Sequence, residues 1–107
     1  MFTSLYAGDV EWGMEHFSEV RDLIWDARSS YQNLGYGLSL SPPSVNTIKQ
    51  SNHFDVEKCF DGILEEVLKN GLSRNKLAEV LESRQLGHTV LAKKVREANF
   101  GKLILHS

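Results

Sequence analysis

Apolar side chains recur at every third or fourth position through most of the chain, which is the period of an amphipathic helix. The strongest run follows Asp55 and stops before Asn70-Gly71. Its apolar positions are Val56, Cys59, Phe60, Ile63, Leu64, Val67 and Leu68. Asp55 suits the N-cap, and Asn-Gly readily adopts the left-handed backbone that ends a helix. The pattern predicts a helix from Asp55 to about Lys69, with its opposite face in solvent.

Two helices are predicted in the first third of the chain. The inner face of the first is formed by Phe17, Val20, Ile24, Ala27 and Tyr31. Trp25 falls off this stripe, so it either packs on a neighbouring helix or is exposed. Ser29 and Ser30 interrupt the run and begin a second, shorter helix. Gly35 and Gly37 weaken that helix and indicate close packing or a bend.

Three more helices have recognisable starts. Ser41 can cap a helix and Pro42 suits its first position, which predicts a third helix ending near Asn52. Ser73 can cap a fifth helix. A sixth is predicted over about residues 88–99, after the break at Gly87.

The segments outside these helices are less regular. Residues 1–16 have no sustained period and contain Gly8 and Gly13, which predicts a flexible or loosely docked lead-in. Residues 101–107 form a short apolar tail that docks on the bundle or frays. Because no segment shows clear alternation of apolar and polar positions, no strand is predicted. The sequence predicts an all-α fold, a single bundle of six antiparallel helices over residues 17–100.

Composition agrees with one globular domain. The chain has 107 residues, of which 41% are hydrophobic and 24% charged. Cys59 is the only cysteine, so no internal disulfide can form, and its helical setting predicts a small buried side chain. No apolar run approaches the about 18 residues of a membrane span, and the first residues lack the pattern of a secretory signal. These features favour a reducing, cytoplasmic setting.

Charge is unevenly distributed along the chain. The net charge is −4 over residues 1–30, −2 over residues 31–72 and +4 over residues 73–107. This gradient either serves contact between molecules or is neutralised within the fold, and the pattern leaves both interpretations open.

Residues with catalytic or metal-binding potential are not arranged for chemistry. The four histidines do not form a zinc-like array with Cys59. Glu65 and Glu66 are consecutive and therefore point to different parts of a helix surface. There is also no phosphate-binding glycine loop and no serine elbow. We expect no enzymatic activity, no cofactor, no metal and no small-molecule substrate.

Residues 73–96 have the outline of a helix-turn-helix. Two short helices flank Gly87, and Lys93, Lys94 and Arg96 follow it. A recognition helix needs polar side chains near its start, whereas these basic residues lie late in the helix. The break over residues 82–87 is also longer than the usual turn. A small DNA-binding domain is therefore the alternative hypothesis, and no nucleic acid is expected under the main one.

The order of these elements over about residues 19–99 resembles the death-domain family. The motifs that carry the resemblance are Tyr31-Gln32-Asn33-Leu34-Gly35, Leu38-Ser39-Leu40-Ser41-Pro42, Ile48, Asp55-Val56-Glu57-Lys58-Cys59-Phe60, Leu77 with Leu81, and Gly87 with Leu91-Ala92 and Val95. The chain departs from the family at Tyr31, Val67 and Arg74, where tryptophan is frequent. Arg74 cannot fill a core position, so helix five is expected to enter differently or to pack more lightly.

The resemblance implies a six-helix antiparallel bundle with Greek-key, death-fold topology. It also implies binding to other death-fold proteins or self-association, in apoptotic, inflammatory or innate-immune signal transduction.

Charged side chains provide the candidate partner-binding residues. Asp61, Glu65 and Glu66, expected to face solvent on the fourth helix, form one candidate surface. Its basic counterpart is expected among Lys49, Arg74, Lys76 and Arg84. Opposite charges on two different patches suit heterologous assembly of one molecule on the next. The alternative is that these charges only keep the domain soluble.

Overall fold

The computed structural model describes residues 8–100 and the backbone of residues 102–104, and it is mostly helical. Within these residues there are six α-helices: α1 (Phe17–Leu23), α2 (Tyr31–Gly37), α3 (Pro42–Ser51), α4 (Val56–Lys69), α5 (Arg74–Leu81) and α6 (Thr89–Arg96). Two 3-10 helices lie at Met14–His16 and Trp25–Ser30, and three strands are β1 (Asp9–Trp12), β2 (Leu72–Ser73) and β3 (Lys102–Ile104). The prediction of six helices is confirmed.

Three helices begin at the cap residues that the sequence predicts. The Ser41 hydroxyl accepts a hydrogen bond from the Ser44 amide at 3.3 Å, and the Asp55 carboxylate accepts one from the Lys58 amide at 3.0 Å. The Ser73 hydroxyl accepts one from the Lys76 amide at 3.1 Å. Each cap satisfies an amide that has no partner within its helix.

The first predicted helix is divided. α1 ends at Leu23, and a 3-10 helix over Trp25–Ser30 leads into α2. The predicted inner positions Ile24, Ala27 and Tyr31 nevertheless remain buried. The tighter 3-10 turn places residues three apart on one side, so the apolar stripe continues through the break.

The chain before α1 corrects the predictions of a loosely docked lead-in and of no strand. β1 pairs antiparallel with β2 and β3, giving the sheet order β2-β1-β3. Val10 and Trp12 point into the core, and Trp12 is fully buried. Alternation is present in Asp9–Trp12, but four residues between two glycines are too few to show a clear period. Residues 1–7, 101 and 105–107 lie outside the described part, so the predictions for them are untested.

The end of the bundle also differs from the sequence prediction. α6 ends at Arg96, three residues before the predicted end. Phe100 turns back to stack on Trp12, with ring centroids 4.8 Å apart. Beyond the helix end the chain reverses direction, which brings the Phe100 ring and β3 against β1.

The core joins the helices and the sheet in one apolar cluster. α4 lies at its centre, packed against α1, α2, α3 and the Trp25–Ser30 segment, while α6 packs mainly on α5. Close approach at Gly35 explains that glycine, because a Cβ there would lie 3.0 Å from Ile63 and 3.3 Å from Val45. No helix among the described residues has both the length and the apolar character needed to cross a bilayer.

Candidate interaction surfaces

An acidic stripe lies on the outer side of α4. Glu57, Asp61 and Glu65 follow one another at four-residue spacing, which puts them on one helix face. Glu57 and Glu65 are exposed, and Asp61 is half-buried. We call these three residues the acidic stripe. Glu57 was absent from the predicted partner-binding residues, although its spacing from Asp61 is a signal in the sequence.

Asp61 is paired within the chain, which corrects the expectation that it faces solvent freely. The Arg21 Nε donates a hydrogen bond to the Asp61 Oδ1 at 2.6 Å, linking α1 to α4. This hydrogen bond raises the pKa of Arg21, and the negative charges of Asp61, Asp22 and Glu57 add to the effect. Asp61 therefore orients Arg21 and contributes less charge to an incoming partner than Glu57 or Glu65.

Glu66 belongs to a different surface from Glu65. It lines a shallow depression with Pro43, Ser44, Thr47 and Ile48 of α3. Its Oε1 lies 3.9 Å from the Lys69 Nζ. The two adjacent glutamates thus point toward different neighbours, and the predicted set of Asp61, Glu65 and Glu66 is not one patch.

Trp25 packs on α4 and on the arginine that pairs with Asp61 of the acidic stripe. Its ring meets Phe60 of α4 edge-on, with centroids 5.8 Å apart, so the interpretation of Trp25 as packed on a neighbouring helix is confirmed. The guanidinium carbons of Arg21 and Arg28 lie 4.3 Å and 4.5 Å from its centroid. The cation–π contact with Arg21 helps to hold this arginine beside Asp61.

Two of the four predicted basic residues make polar contacts within the chain. The Arg74 guanidinium donates hydrogen bonds to the carbonyl oxygens of Ala98 at 3.2 Å and Gly8 at 3.5 Å. Arg74 thus joins the segments that flank the bundle, and the expectation that it is an exposed basic residue is wrong. The Lys49 Nζ donates to the Gln32 Oε1 at 3.1 Å, linking α3 to α2.

Lys76 and Arg84 are exposed, as predicted. Neither has a carboxylate within 4.0 Å among the residues that the structure describes. Lys76 lies at the start of α5, whereas Arg84 lies in the connection to α6. Both are available to an acidic partner.

α6 presents a basic and apolar face that the sequence argument did not assign to partner binding. Val90, Lys93 and Lys94 are exposed on one side of the helix, and Val90 is 70% exposed. Beside them is a depression of about 240 Å³, lined by Asp26, Gly87, His88, Thr89, Val90, Leu91 and Lys94. We call Val90, Lys93, Lys94 and this depression the α6 surface. The signal in the sequence was the position of Val90, three residues before Lys93 and four before Lys94, which puts all three on one helix face.

The turn between α3 and α4 exposes two apolar side chains. Phe54 is 61% exposed, and Val56, which the sequence assigns to the buried stripe, is 44% exposed. His53 and Phe54 both have left-handed backbones, with φ of 53° and 61°. The Phe54 amide donates to the Lys49 carbonyl oxygen and the His53 amide to that of Gln50, as in a Schellman motif.

Two buried side chains with titratable groups, Cys59 and Tyr31, lie together in the described part of the core. Cys59 is fully buried, which confirms its prediction. Burial raises the pKa of Tyr31, and a hydrogen bond with Cys59 adds to the shift. Among the described residues, no group of three or more His, Cys, Asp or Glu side chains is arranged to hold a metal ion.

Comparison with known proteins gives no relative for this chain. No family model matches it, no curated protein is similar to it, and no solved structure matches its fold.

Proposed function

We propose that the chain is a non-catalytic protein–protein interaction module that engages death-fold domains, homotypically, in apoptotic or innate-immune-type signal transduction. The proposal includes a Greek-key order of the six helices and a cytoplasmic setting. The observation that carries it is the separation of two exposed acids from two exposed bases, although Lys58, Lys69 and Glu79 are also exposed on the same helices. Glu57 and Glu65 lie on α4, whereas Lys76 and Arg84 lie on α5 and the connection after it.

Such a separation supports head-to-tail association. An acidic patch on one molecule attracts a different, basic patch on the next, and this complementarity speeds encounter and fixes orientation. Each exposed ion pair contributes only about 0–1 kcal/mol, so several must act together beside apolar contacts. Exposed apolar area is supplied by Phe54 and Val56, which precede Glu57 in the sequence, and by Val90 on α6.

The first test is the molar mass in solution, by light scattering behind size exclusion. Oligomers that grow with protein concentration and dissociate at high salt are expected, because exposed charges are screened. The double variant Glu57→Lys/Glu65→Lys should reduce association and keep the helical circular dichroism. Glu66→Lys is the matched control, since Glu66 faces α3. A monomer at every concentration that also binds no member of a panel of death-fold domains contradicts the proposal.

DNA binding through residues 73–96 is the second candidate. The exposure of Arg84, Lys93 and Lys94 favours it. Against it, Arg96 is held by Glu82 through two hydrogen bonds, of 2.9 Å and 2.6 Å. A duplex-binding domain should lose affinity steeply as salt rises, so titration with labelled duplex at two salt concentrations separates the two functions.

A further inference from the structure

Phe54 projects outward from a turn with a fully hydrogen-bonded backbone. The backbone amides of His53, Phe54 and Asp55 are all hydrogen-bonded, to the carbonyl oxygens of Gln50, Lys49 and Asn52. Two consecutive left-handed residues without glycine are strained, and such strain persists where the surrounding structure fixes it. The Lys49 Nζ lies 5.9 Å from the ring centroid, on one side of an otherwise exposed ring. The result is an aromatic side chain that projects from a hydrogen-bonded turn.

The depression of the α6 surface is suited to an aromatic side chain. It is open to solvent and has a volume of about 240 Å³, which is room for an aromatic ring to lie against its wall. Val90 and Leu91 supply apolar walls, and nothing lies within 4 Å of where a Cβ on Gly87 would be. Gly87 therefore leaves one side of the depression open to an incoming ring.

Acidic side chains follow the projection in the sequence, and two lysines lie beside the depression. Asp55 and Glu57 follow Phe54 by one and three positions, and both are exposed. The nearby cations are Lys58, which is exposed, and Lys49, whose Nζ donates to the Gln32 Oε1. Lys93 and Lys94 lie beside the depression, and neither has a carboxylate within 4.0 Å among the described residues. Asp26 is the one acid that lines the depression, and Lys94 lines it as well. This complementarity selects a second copy of this chain as the occupant.

We infer that Phe54 of one molecule inserts into the depression of the α6 surface of a second copy, with Asp55 and Glu57 facing Lys93 and Lys94. This inference rests on the proposed function, and it names the two surfaces that meet. Within one molecule, Phe54 lies before α4 and the depression lies beside α6, so the two surfaces are on different helices. The Trp25–Ser30 segment, which packs on α4, contributes Asp26 to the depression. The contact is therefore heterologous, so each added copy leaves one projection and one depression unoccupied, unless a ring closes.

The test uses two variants that each lose one surface. The first, Phe54→Ser/Glu57→Lys, loses the projection and keeps the depression. The second, Val90→Asp/Lys94→Glu, loses the depression and keeps the projection. All four side chains are exposed, so both variants should retain the wild-type circular dichroism. Each alone should show at least a tenfold weaker self-association than the wild type.

A mixture of the two variants gives the decisive result. The intact projection of the second fits the intact depression of the first, so a complex of twice the 12.1 kDa monomer mass should form and grow no further. Met14→Ser is the control, because Met14 is also an exposed apolar residue but lies outside both surfaces. It should oligomerise like the wild type.

The remaining outcomes separate the inference from the proposed function. If the second variant oligomerises like the wild type, or the mixture forms no dimer, the α6 surface is not the counterpart and only the inference fails. A monomeric wild type that binds other death-fold domains also overturns the inference alone. A monomeric wild type that binds none overturns both.

Discussion

The indole nitrogen of Trp12 donates a hydrogen bond to the carbonyl oxygen of Phe100 at 2.8 Å, across 88 positions of the chain. The two rings also stack, at an interplanar angle of 21°. The segment before α1 and the segment after α6 are thereby parts of one core. The core therefore extends beyond the predicted bundle of residues 17–100 to include Val10 and Trp12.

Replacing Trp12 by alanine should strongly destabilise the fold. The side chain is fully buried, and truncation of such an aromatic typically costs about 3–5 kcal/mol. Urea denaturation followed by circular dichroism measures the free energy of unfolding. Met14→Ala is the matched control and should change it by less than about 0.5 kcal/mol, because Met14 is exposed. An unchanged stability of Trp12→Ala would support the earlier interpretation of a loosely docked lead-in.

Local signals in the sequence were sufficient for the number and order of the helices, but not for every helix end or for the sheet. The cap at Asp55 and the stop at Gly71 each act within a few residues, so α4 could be predicted to its ends. β1 depends on partners that follow it by sixty or more residues, at β2 and β3. No pattern within Asp9–Trp12 carries that information. The same limit hid the contact of Trp12 with Phe100.

The stability of the sheet should depend on pH through Asp9. Partial burial acts to raise the pKa of Asp9, but hydrogen bonds from the Ser73 hydroxyl and from the Asn75 and Val10 amides, with the charge of Arg74, outweigh it. The pKa is therefore below its ordinary 3.8. A carboxylate with a lowered pKa stabilises the fold above the unfolded pKa and loses that contribution as pH falls through the folded one.

Asp9→Asn should therefore cost about 1–3 kcal/mol at pH 7, with the difference from the wild type narrowing below about pH 4. Urea denaturation at several pH values between 2.5 and 7 measures this. Glu65→Gln serves as the control, since Glu65 is exposed and should change stability by less than about 0.5 kcal/mol. A constant difference at every pH would mean that Asp9 acts through its shape alone.

Glycine in place of His53 should stabilise the protein. His53 occupies the left-handed position after α3, where a side chain costs about 1–2 kcal/mol. Glycine removes this strain, but it also raises the conformational entropy of the unfolded chain, which offsets part of the gain in stability. We expect a net gain of about 0.5–1 kcal/mol in the free energy of unfolding. Gly87→Ala is the converse control, because φ is 67° in open space and only the backbone is strained. It should cost about 1 kcal/mol, and a loss of stability in His53→Gly would contradict the strain argument.

The thiol of Cys59 should be unreactive in the folded protein. It is fully buried, with its Sγ 3.9 Å from the Lys49 carbonyl oxygen. Because labelling then requires opening of the core, its rate should be at least about 1,000-fold below that of the unfolded chain. A chromogenic disulfide reagent measures the rate with and without urea. Ser18→Cys in a Cys59→Ala background should react at once, since position 18 is exposed.

The candidate surfaces were only partly predictable because exposure is not the same as availability. Spacing along α4 placed Asp61 on the outer face, but Arg21 lies forty positions away and its ion pair cannot be read from either helix alone. Arg74 appears as an unpartnered cation in the sequence, whereas backbone carbonyls of Gly8 and Ala98 bind it. Glu65 needed only helix geometry, and its exposure was predicted.

The antiparallel pairing of β1 with β3 determines how the fold responds to tension. Asp9 lies opposite Ile104, and Glu11 lies opposite Lys102. The first residue of β1 and the last residue of β3 therefore lie at the same end of the strand pair. A load that pulls residue 8 away from residue 104 would open this pair one hydrogen-bonded rung at a time, like a zipper, instead of shearing all rungs together. The helices would then be reached only after the Trp12 ring had been drawn out of the core. Under this load the β1–β3 pair therefore opens first, and the buried Trp12 ring resists the load after it.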